Sequence, residues 1–150
     1  MEEKTTKNGF NKLEQDADSE MESGEFKYAI EKYTVLLNYY KLNKDTEKEK
    51  NTAKKIITAY LDIADKSLEN EEKIKNSSNV ELAKKAVLAI IDGIEISEKY
   101  GFDRIAEKLY KKSIAICYSK GMYKYAEEIE QKRVKNAGKK YGNAESKSYF

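Results

Sequence analysis

The residue types that most often perform catalysis or bind metals are almost missing from this sequence. It contains no His and a single cysteine, Cys117. His is the usual acid–base group near neutral pH, the partner of Ser and Cys nucleophiles, and the commonest metal ligand. A chain with one Cys and no His cannot build a Cys/His zinc site. Only carboxylate, Lys or Tyr chemistry remains.

No motif gathers these remaining groups into a reactive site. The seven Gly residues are scattered singly, so the sequence has no Gly-rich phosphate-binding loop. Acidic residues on helices are usually solvated surface, and none of them converge in this sequence with a nucleophile or a base. We therefore predict a protein that is not an enzyme and that binds no cofactor or metal.

Length and composition indicate one soluble domain. The chain has 150 residues, of which 37% are charged and 39% hydrophobic, enough to bury roughly 70% of the unfolded surface. The longest apolar run, residues 86–91, is far shorter than the ~20 residues that span a bilayer. The N-terminus has no apolar segment typical of a signal peptide, and a lone cysteine suits a reducing compartment. We expect a cytoplasmic protein that does not associate with membranes.

Apolar residues recur at three- and four-residue steps, the period of an α-helix. This pattern predicts an all-α protein of about six antiparallel helices, at residues 10–23, 25–42, 46–68, 79–100, 103–119 and 122–136. Residues 69–79 are polar and predict a loop, with Asn79 capping the fourth helix. We expect residues 1–8 to fray, residues 9–140 to form the domain, and residues 141–150 to be a loosely ordered tail.

The apolar faces also predict which residues are buried. The fourth helix has the widest apolar face, so we expect it to be the most buried. Gly93 lies inside this helix, where Gly costs about 1 kcal/mol relative to Ala; this favours a close helix contact over a functional kink. Cys117 is expected to be a small core residue. On the sixth helix, the predicted inner residues are Tyr125, Ala126, Ile129 and Val134.

One segment carries a motif. Residues 24–33 place Gly24, Phe26, Ala29 and Tyr33 at the spacing Gly-x-aromatic-x-x-Ala-Ile-x-x-aromatic. This segment resembles the second half of a tetratricopeptide (TPR) repeat. In the preceding helix the resemblance is partial, because Asp16 stands where the family usually has Leu. Another helical bundle with similar corners would show the same motif.

A weaker copy of the motif lies near the C-terminus. Gly121, Tyr123 and Ala126 repeat the first part of the spacing, preceded by Tyr110. Glu130 replaces the second aromatic residue, and the usual Pro after the second helix is absent because the chain contains no Pro. The pairing of six helices nevertheless places Gly24 and Gly121 inside hairpins and leaves a third hairpin between them.

The TPR resemblance implies three helical hairpins in a short α-solenoid, with a concave groove that binds a partner protein's peptide or helix. It implies the role of an adaptor or scaffold. On the inner helix faces it places Asn11, Glu14, Asp18 and Glu22 in the first hairpin and Lys108, Lys111 and Lys112 in the third. Family members that clamp a C-terminal carboxylate use Lys and Asn in the first repeat. Here Glu14 and Asp18 occupy that region, so no such clamp is expected.

Charge is distributed unevenly along the chain. Residues 1–25 hold eight acidic residues and three Lys, whereas residues 102–150 hold six acidic residues and twelve Lys or Arg. The ends therefore carry net charges of −5 and +6. These charges can bind a partner, permit head-to-tail association into a homo-oligomer, or form a solvated face that supports solubility.

Nucleic-acid binding is the alternative function. The basic C-terminal segment that would contact phosphates contains Lys132, Arg133, Lys135, Lys139 and Lys140, with Tyr141 nearby for base stacking. The near-neutral overall charge and three Glu residues just before this segment argue against it.

Overall fold

Six α-helices make up the computed structural model of the protein, which describes residues 2–73 and 80–149 and the side chains of residues 7–73 and 80–138. The helices are α1 (Glu2–Glu22), α2 (Phe26–Leu42), α3 (Thr46–Lys73), α4 (Glu81–Lys99), α5 (Asp103–Ser119) and α6 (Tyr123–Tyr149). Across the described ranges there is no β-strand. The predicted all-α class is confirmed.

Helix ends differ from the predicted ones where polar residues continue a helix. Residues 69–73, predicted as loop, belong to α3, so that part of the prediction is wrong. Their side chains find partners: Lys73 lies 3.8 Å from Glu69, and Glu71 is bound by Lys120 of α5 at 2.9 Å. The rest of the predicted loop, residues 74–79 with its cap Asn79, lies outside the described residues.

Both terminal helices are longer than predicted. α1 begins at Glu2 and α6 runs to Tyr149, because their polar residues continue the helices beyond the apolar pattern that predicted them. The expected fraying of residues 1–8 and loose order of residues 141–150 stay predictions.

Four of the corners between helices share one backbone geometry. At the first corner, the N–H of Glu25 donates to the carbonyl oxygen of Glu20 at 2.8 Å. The N–H of Gly24 donates to the carbonyl oxygen of Met21 at 3.2 Å. This hydrogen-bond pair is the Schellman motif, which needs a residue with positive φ. The same pair closes α2, α4 and α5. The residues with positive φ are Gly24 (80°), Lys44 (57°), Gly101 (71°) and Gly121 (73°).

Each helix packs against the next one along the chain, and the buried residues form two clusters. The smaller cluster joins α1, α2 and the first half of α3 around Ala17, Tyr33 and Leu36. The larger cluster joins α3, α4, α5 and α6. Tyr60 and Ile96 are packed against both clusters.

α4 lies at the centre of the larger cluster, as its wide apolar face predicts. Its Val87, Ile90 and Ile94 are at most 1% exposed. A Cβ at Gly93 would lie 3.3 Å from Cδ1 of Leu109 on α5 and 3.8 Å from Cγ2 of Ile57 on α3. The predicted close contact at Gly93 is therefore confirmed, and it involves both neighbouring helices.

Two predicted core residues of α6 are exposed. Ala126 and Ile129 are buried, but Tyr125 is 40% and Val134 is 60% exposed. α6 is the last helix and, in the described part of the chain, packs chiefly on α5, so only a narrow face of it is covered. Cys117 is fully buried, as predicted.

No helix in the described part of the chain is both long and apolar enough to cross a membrane.

Replacing Lys44 with Gly is expected to stabilise the protein by about 1 kcal/mol, because a left-handed conformation costs an L-residue roughly 1–2 kcal/mol. Urea denaturation of the variant and the wild type measures the change. The matched control, Gly121→Ala, imposes the same cost at an equivalent corner and should destabilise by about 1 kcal/mol. A Lys44→Gly variant that is no more stable than wild type would contradict the steric account.

Replacing Gly93 with Val is expected to destabilise the protein by about 1–3 kcal/mol, because the added atoms meet α3 and α5 at a contact that is already close. The control is Gly9→Ala on α1, where an added Cβ meets nothing within 4 Å. That change should instead stabilise the protein, by up to about 1 kcal/mol of helix propensity. Chemical denaturation measures the change in the free energy of unfolding for both variants. If Gly93→Val leaves the protein as stable as the wild type, or more stable, the helices can move apart.

Candidate partner-binding surface

The four residues predicted to bind a partner on α1 divide into an exposed pair and a pair engaged within the protein. Asn11 and Glu22 are exposed, whereas Glu14 and Asp18 are half-buried. Nζ of Lys55, on α3, lies 3.1 Å from Oε1 of Glu14 and 3.1 Å from Oδ1 of Asp18. The two carboxylates thus join α1 to α3.

Two tyrosines of α2 complete this cluster. Tyr33 is 2% exposed and donates its hydroxyl hydrogen bond to Asp18; Tyr40 donates to Oε2 of Glu14 at 3.3 Å. Partial burial lowers the pKa of Lys55, but its hydrogen bonds to Asp18 and Glu14 outweigh that effect, so the pKa is raised. Lys55 therefore stays charged and neutralises part of the acidic N-terminal region.

A third carboxylate of α1 is also engaged, because Glu20 forms an ion pair with Lys32 of α2. A cavity of about 270 Å³ beside the cluster is lined by Asp18, Met21, Tyr33, Lys54, Lys55 and Thr58. Lys32 and Lys55 thus offset part of the negative charge of α1.

The three basic residues predicted on α5 have different surroundings. Lys112 is half-buried and lies 3.0 Å from Oδ1 of Asp65 on α3. Lys111 is exposed and reaches Glu107, one turn earlier, at 3.8 Å. Lys108 is exposed. Lys112 therefore joins α5 to α3, and the other two remain at the surface.

The exposed face of α5 carries a line of residues that we call the α5 stripe. Its members, at alternating steps of four and three residues, are Arg104, Lys108, Lys111, Ala115 and Tyr118. Residues at these steps lie on one side of a helix. The three basic residues occupy its first half, and Tyr118, which is 51% exposed, lies near its end.

A cavity of about 830 Å³ lies between α5, α6 and the end of α4. Its lining includes Glu98, Arg104, Lys108, Tyr110, Arg133 and Asn136. One side is tied together by hydrogen bonds, since Nδ2 of Asn136 donates to Oε2 of Glu98 at 2.6 Å and to the Tyr110 hydroxyl at 3.0 Å. Among the residues predicted to bind a partner protein, Lys108 borders this cavity.

Arg133 belongs to the basic segment considered for nucleic-acid binding, but it is engaged within the protein. Its Nε lies 3.1 Å from both carboxylate oxygens of Glu107, and its Nη1 lies 2.9 Å from Glu130. These contacts raise the pKa of Arg133 and lower that of Glu107, in each case chiefly through their mutual hydrogen bond. Lys132 and Lys135 are exposed, whereas the side chains of Lys139, Lys140 and Tyr141 lie outside the described residues.

Burial raises the pKa of the Cys117 thiol, which disfavours the reactive thiolate. In the part of the chain with described side chains, no group of three or more His, Cys, Asp or Glu could hold a metal ion.

Tyrosine–carboxylate hydrogen bonds also link neighbouring helices elsewhere. The Tyr100 hydroxyl donates to Oε2 of Glu49 at 2.7 Å, and that of Tyr110 donates to Oε1 of Glu98 at 3.0 Å. Burial, followed by the nearby Glu14, raises the pKa of Tyr40 to about 12. Burial also raises the pKa of Tyr110 to about 12, because the lowering by its hydrogen bond with Asn136 is offset by Glu98 and Glu107. The pKa values of Tyr33 and Tyr100 are raised as well, chiefly by burial and next by the hydrogen bond to a carboxylate.

Several residues of this surface have no strong signal in the sequence. Lys55 is one of many lysines, and its role follows only from the side of α3 that meets α1. Arg104 could have been found, because its spacing to Lys108 and Lys111 is visible along the chain. The tyrosine hydroxyl partners lie 12 to 51 residues away, beyond the reach of local patterns.

Comparisons of the chain with protein-family models, with curated proteins and with solved structures give no match.

Tyrosine ionisation is expected to destabilise the protein between about pH 10 and pH 12. A folded-state pKa above the unfolded value of about 10 means that the stabilisation is complete below pH 10 and is lost as the pH rises. Each such tyrosine should lower the free energy of unfolding by up to about 1.4 kcal/mol per pH unit. Urea denaturation across this pH range measures the slope.

Replacing Tyr110 with Phe should make the free energy of unfolding fall less steeply with pH in this range, by up to the contribution of one tyrosine. The control is Tyr28→Phe, which changes a 60% exposed side chain and should leave the slope unchanged. Equal slopes for wild type and Tyr110→Phe would contradict the assignment.

Proposed function

We propose that the protein is a non-enzymatic interaction module, an adaptor or scaffold, that binds a peptide or helix of a partner protein. In this proposal the helices form three TPR-like hairpins, α1–α2, α3–α4 and α5–α6. The hairpins stack as a short α-solenoid whose α1, α3 and α5 faces line a concave groove. A cytoplasmic location is part of the proposal and rests on the single free cysteine.

The observation that carries this proposal is a series of ion pairs between alternate helices. Lys55 of α3 binds Glu14 and Asp18 of α1, and Lys112 of α5 binds Asp65 of α3. These long side chains bring α1 near α3 and α3 near α5, although the main backbone packing is between consecutive helices. This relation is expected for the first helices of stacked hairpins, so it supports the arrangement that the TPR resemblance implies.

The other helices show a related contact. Asn136 of α6 binds Glu98 of α4, so α4 and α6 also approach each other, although they are separated by α5 in the sequence. Stacked hairpins bring their first helices near one another and their second helices near one another, so contacts within both sets are expected. Because a hairpin stack buries its hairpin interfaces and leaves one long face open, recognition of an elongated partner is the function that this arrangement favours.

Nucleic-acid binding receives less support. Arg133 is held by Glu107 and Glu130, and Glu127 and Glu128 are exposed on the same helix. A phosphate backbone approaching α6 would therefore meet several carboxylates.

A photo-cross-linking experiment tests the proposal in the native cell. A photo-reactive amino acid replaces either Ala115, on the exposed face of α5, or Leu88, which is 53% exposed on α4. We expect a discrete cross-linked protein from position 115 and none from position 88. Equal cross-linking from both positions, cross-linking from neither, or cross-links to nucleic acid would reject the proposed function.

A further inference from the structure

The α5 stripe has an uncancelled positive charge at one end. Arg104, Lys108 and Lys111 are exposed. Among the residues whose side chains are described, Arg104 and Lys108 have no ion-pair partner, and Lys111 has one distant contact, 3.8 Å from Glu107. Three cations thus point into solvent within about two turns of one helix.

Three carboxylates near the stripe are already paired within the protein. Asp65 binds Lys112 at 3.0 Å, and Glu71 binds Lys120 at 2.9 Å. Glu107 accepts three hydrogen bonds from the guanidinium of Arg133. A negatively charged ligand at the stripe would therefore meet cations whose charge these three carboxylates do little to offset.

The other end of the stripe is aromatic. Tyr118 is 51% exposed and Tyr123, at the start of α6, is 61% exposed; their ring centroids lie 6.0 Å apart. Ala115, one turn before Tyr118, is exposed and small, so another backbone can approach α5 closely there. Exposed aromatic pairs are typical anchor sites of protein interfaces.

We propose that the α5 stripe binds an amphipathic helix of a partner protein with acidic residues at one end and an apolar residue at the other. The acidic residues face Arg104, Lys108 and Lys111, and the apolar residue packs on Tyr118 and Tyr123. The inference rests on the proposed function and specifies the partner for it. Steps of four and three residues match a second helix lying along α5, and the stripe is about 21 Å long.

A second copy of this chain fits the stripe less well. The acidic helix it could offer is α1, but Glu14, Asp18 and Glu20 are engaged with Lys55 and Lys32. A nucleic acid fits less well too, because it carries a phosphate at every nucleotide, whereas the stripe has cations only in its first half.

A designed peptide probe tests this inference on the full-length protein. The labelled helical peptide carries Glu at positions 1, 5 and 8 and Leu at positions 12 and 15, the spacing of the stripe. Its dissociation constant is measured by fluorescence anisotropy. A peptide of the same composition with scrambled order is compared with it. The designed peptide should bind about ten-fold more tightly.

Charge-reversal variants locate the binding site. The variant with Arg104, Lys108 and Lys111 all changed to Glu should bind the peptide at least about ten-fold more weakly. The matched control changes three exposed lysines on other helices to Glu: Lys27, Lys41 and Lys85. This control makes the same change in net charge and should alter the affinity by less than about three-fold. Circular dichroism confirms that both variants keep their helices.

Tyr118→Ala tests the aromatic end separately and should weaken binding about three- to ten-fold without changing the charge.

If both triple variants weaken peptide binding equally, net charge alone explains the loss of affinity, and the inference is overturned. Equal binding of the scrambled peptide, or tighter binding of a single-stranded oligonucleotide, would also overturn it. So would a dimer in sedimentation that the stripe variant abolishes.

The two proposals fail in different ways. If the peptide does not bind while position 115 still cross-links to a discrete protein, the acidic-helix inference is wrong and the interaction function stands. If neither experiment gives a signal, both are wrong.

Discussion

The close approach of α3, α4 and α5 at Gly93 is the constraint on which the larger core depends. The site has room for a hydrogen atom and little more, since a Cβ there would lie 3.3 Å from Leu109. This approach lets Val87, Ile90 and Ile94 become fully buried, and it fixes which side of α5 faces inward. Leu109 lies on this inner side of α5, and the α5 stripe lies on the opposite, exposed side.

Charge in this protein is used first to join helices and only then at the surface. The sequence shows an acidic end and a basic end, which looks like a field directed at other molecules. In the structure, carboxylates of α1 neutralise a lysine of α3, and Asp65 of α3 pairs with Lys112 of α5. The exposed cations of α5, Arg104, Lys108 and Lys111, take no part in these pairs between helices.

Helices could be predicted from the sequence because burial imposes a local period, and the bounds of α2 and α5 agree closely. Residues 69–73 were missed because partners elsewhere, such as Lys120, hold that polar turn. The corner at Lys44 has no Gly to mark it, although its geometry equals that of Gly101 and Gly121. That equality also explains why corner residues do not reveal which helices form hairpins. Lys55 could not be assigned because its role depends on how α3 is rotated against α1.

The position of Cys117 makes the wild-type chain its own conformational reporter. This thiol is fully buried in the larger core, and it is the only cysteine in the sequence. A thiol-specific reagent can reach it only when α5 separates from its neighbours. The rate of labelling therefore measures how often that core opens, without any engineered label, and it is insensitive to opening confined to the smaller core around Tyr33.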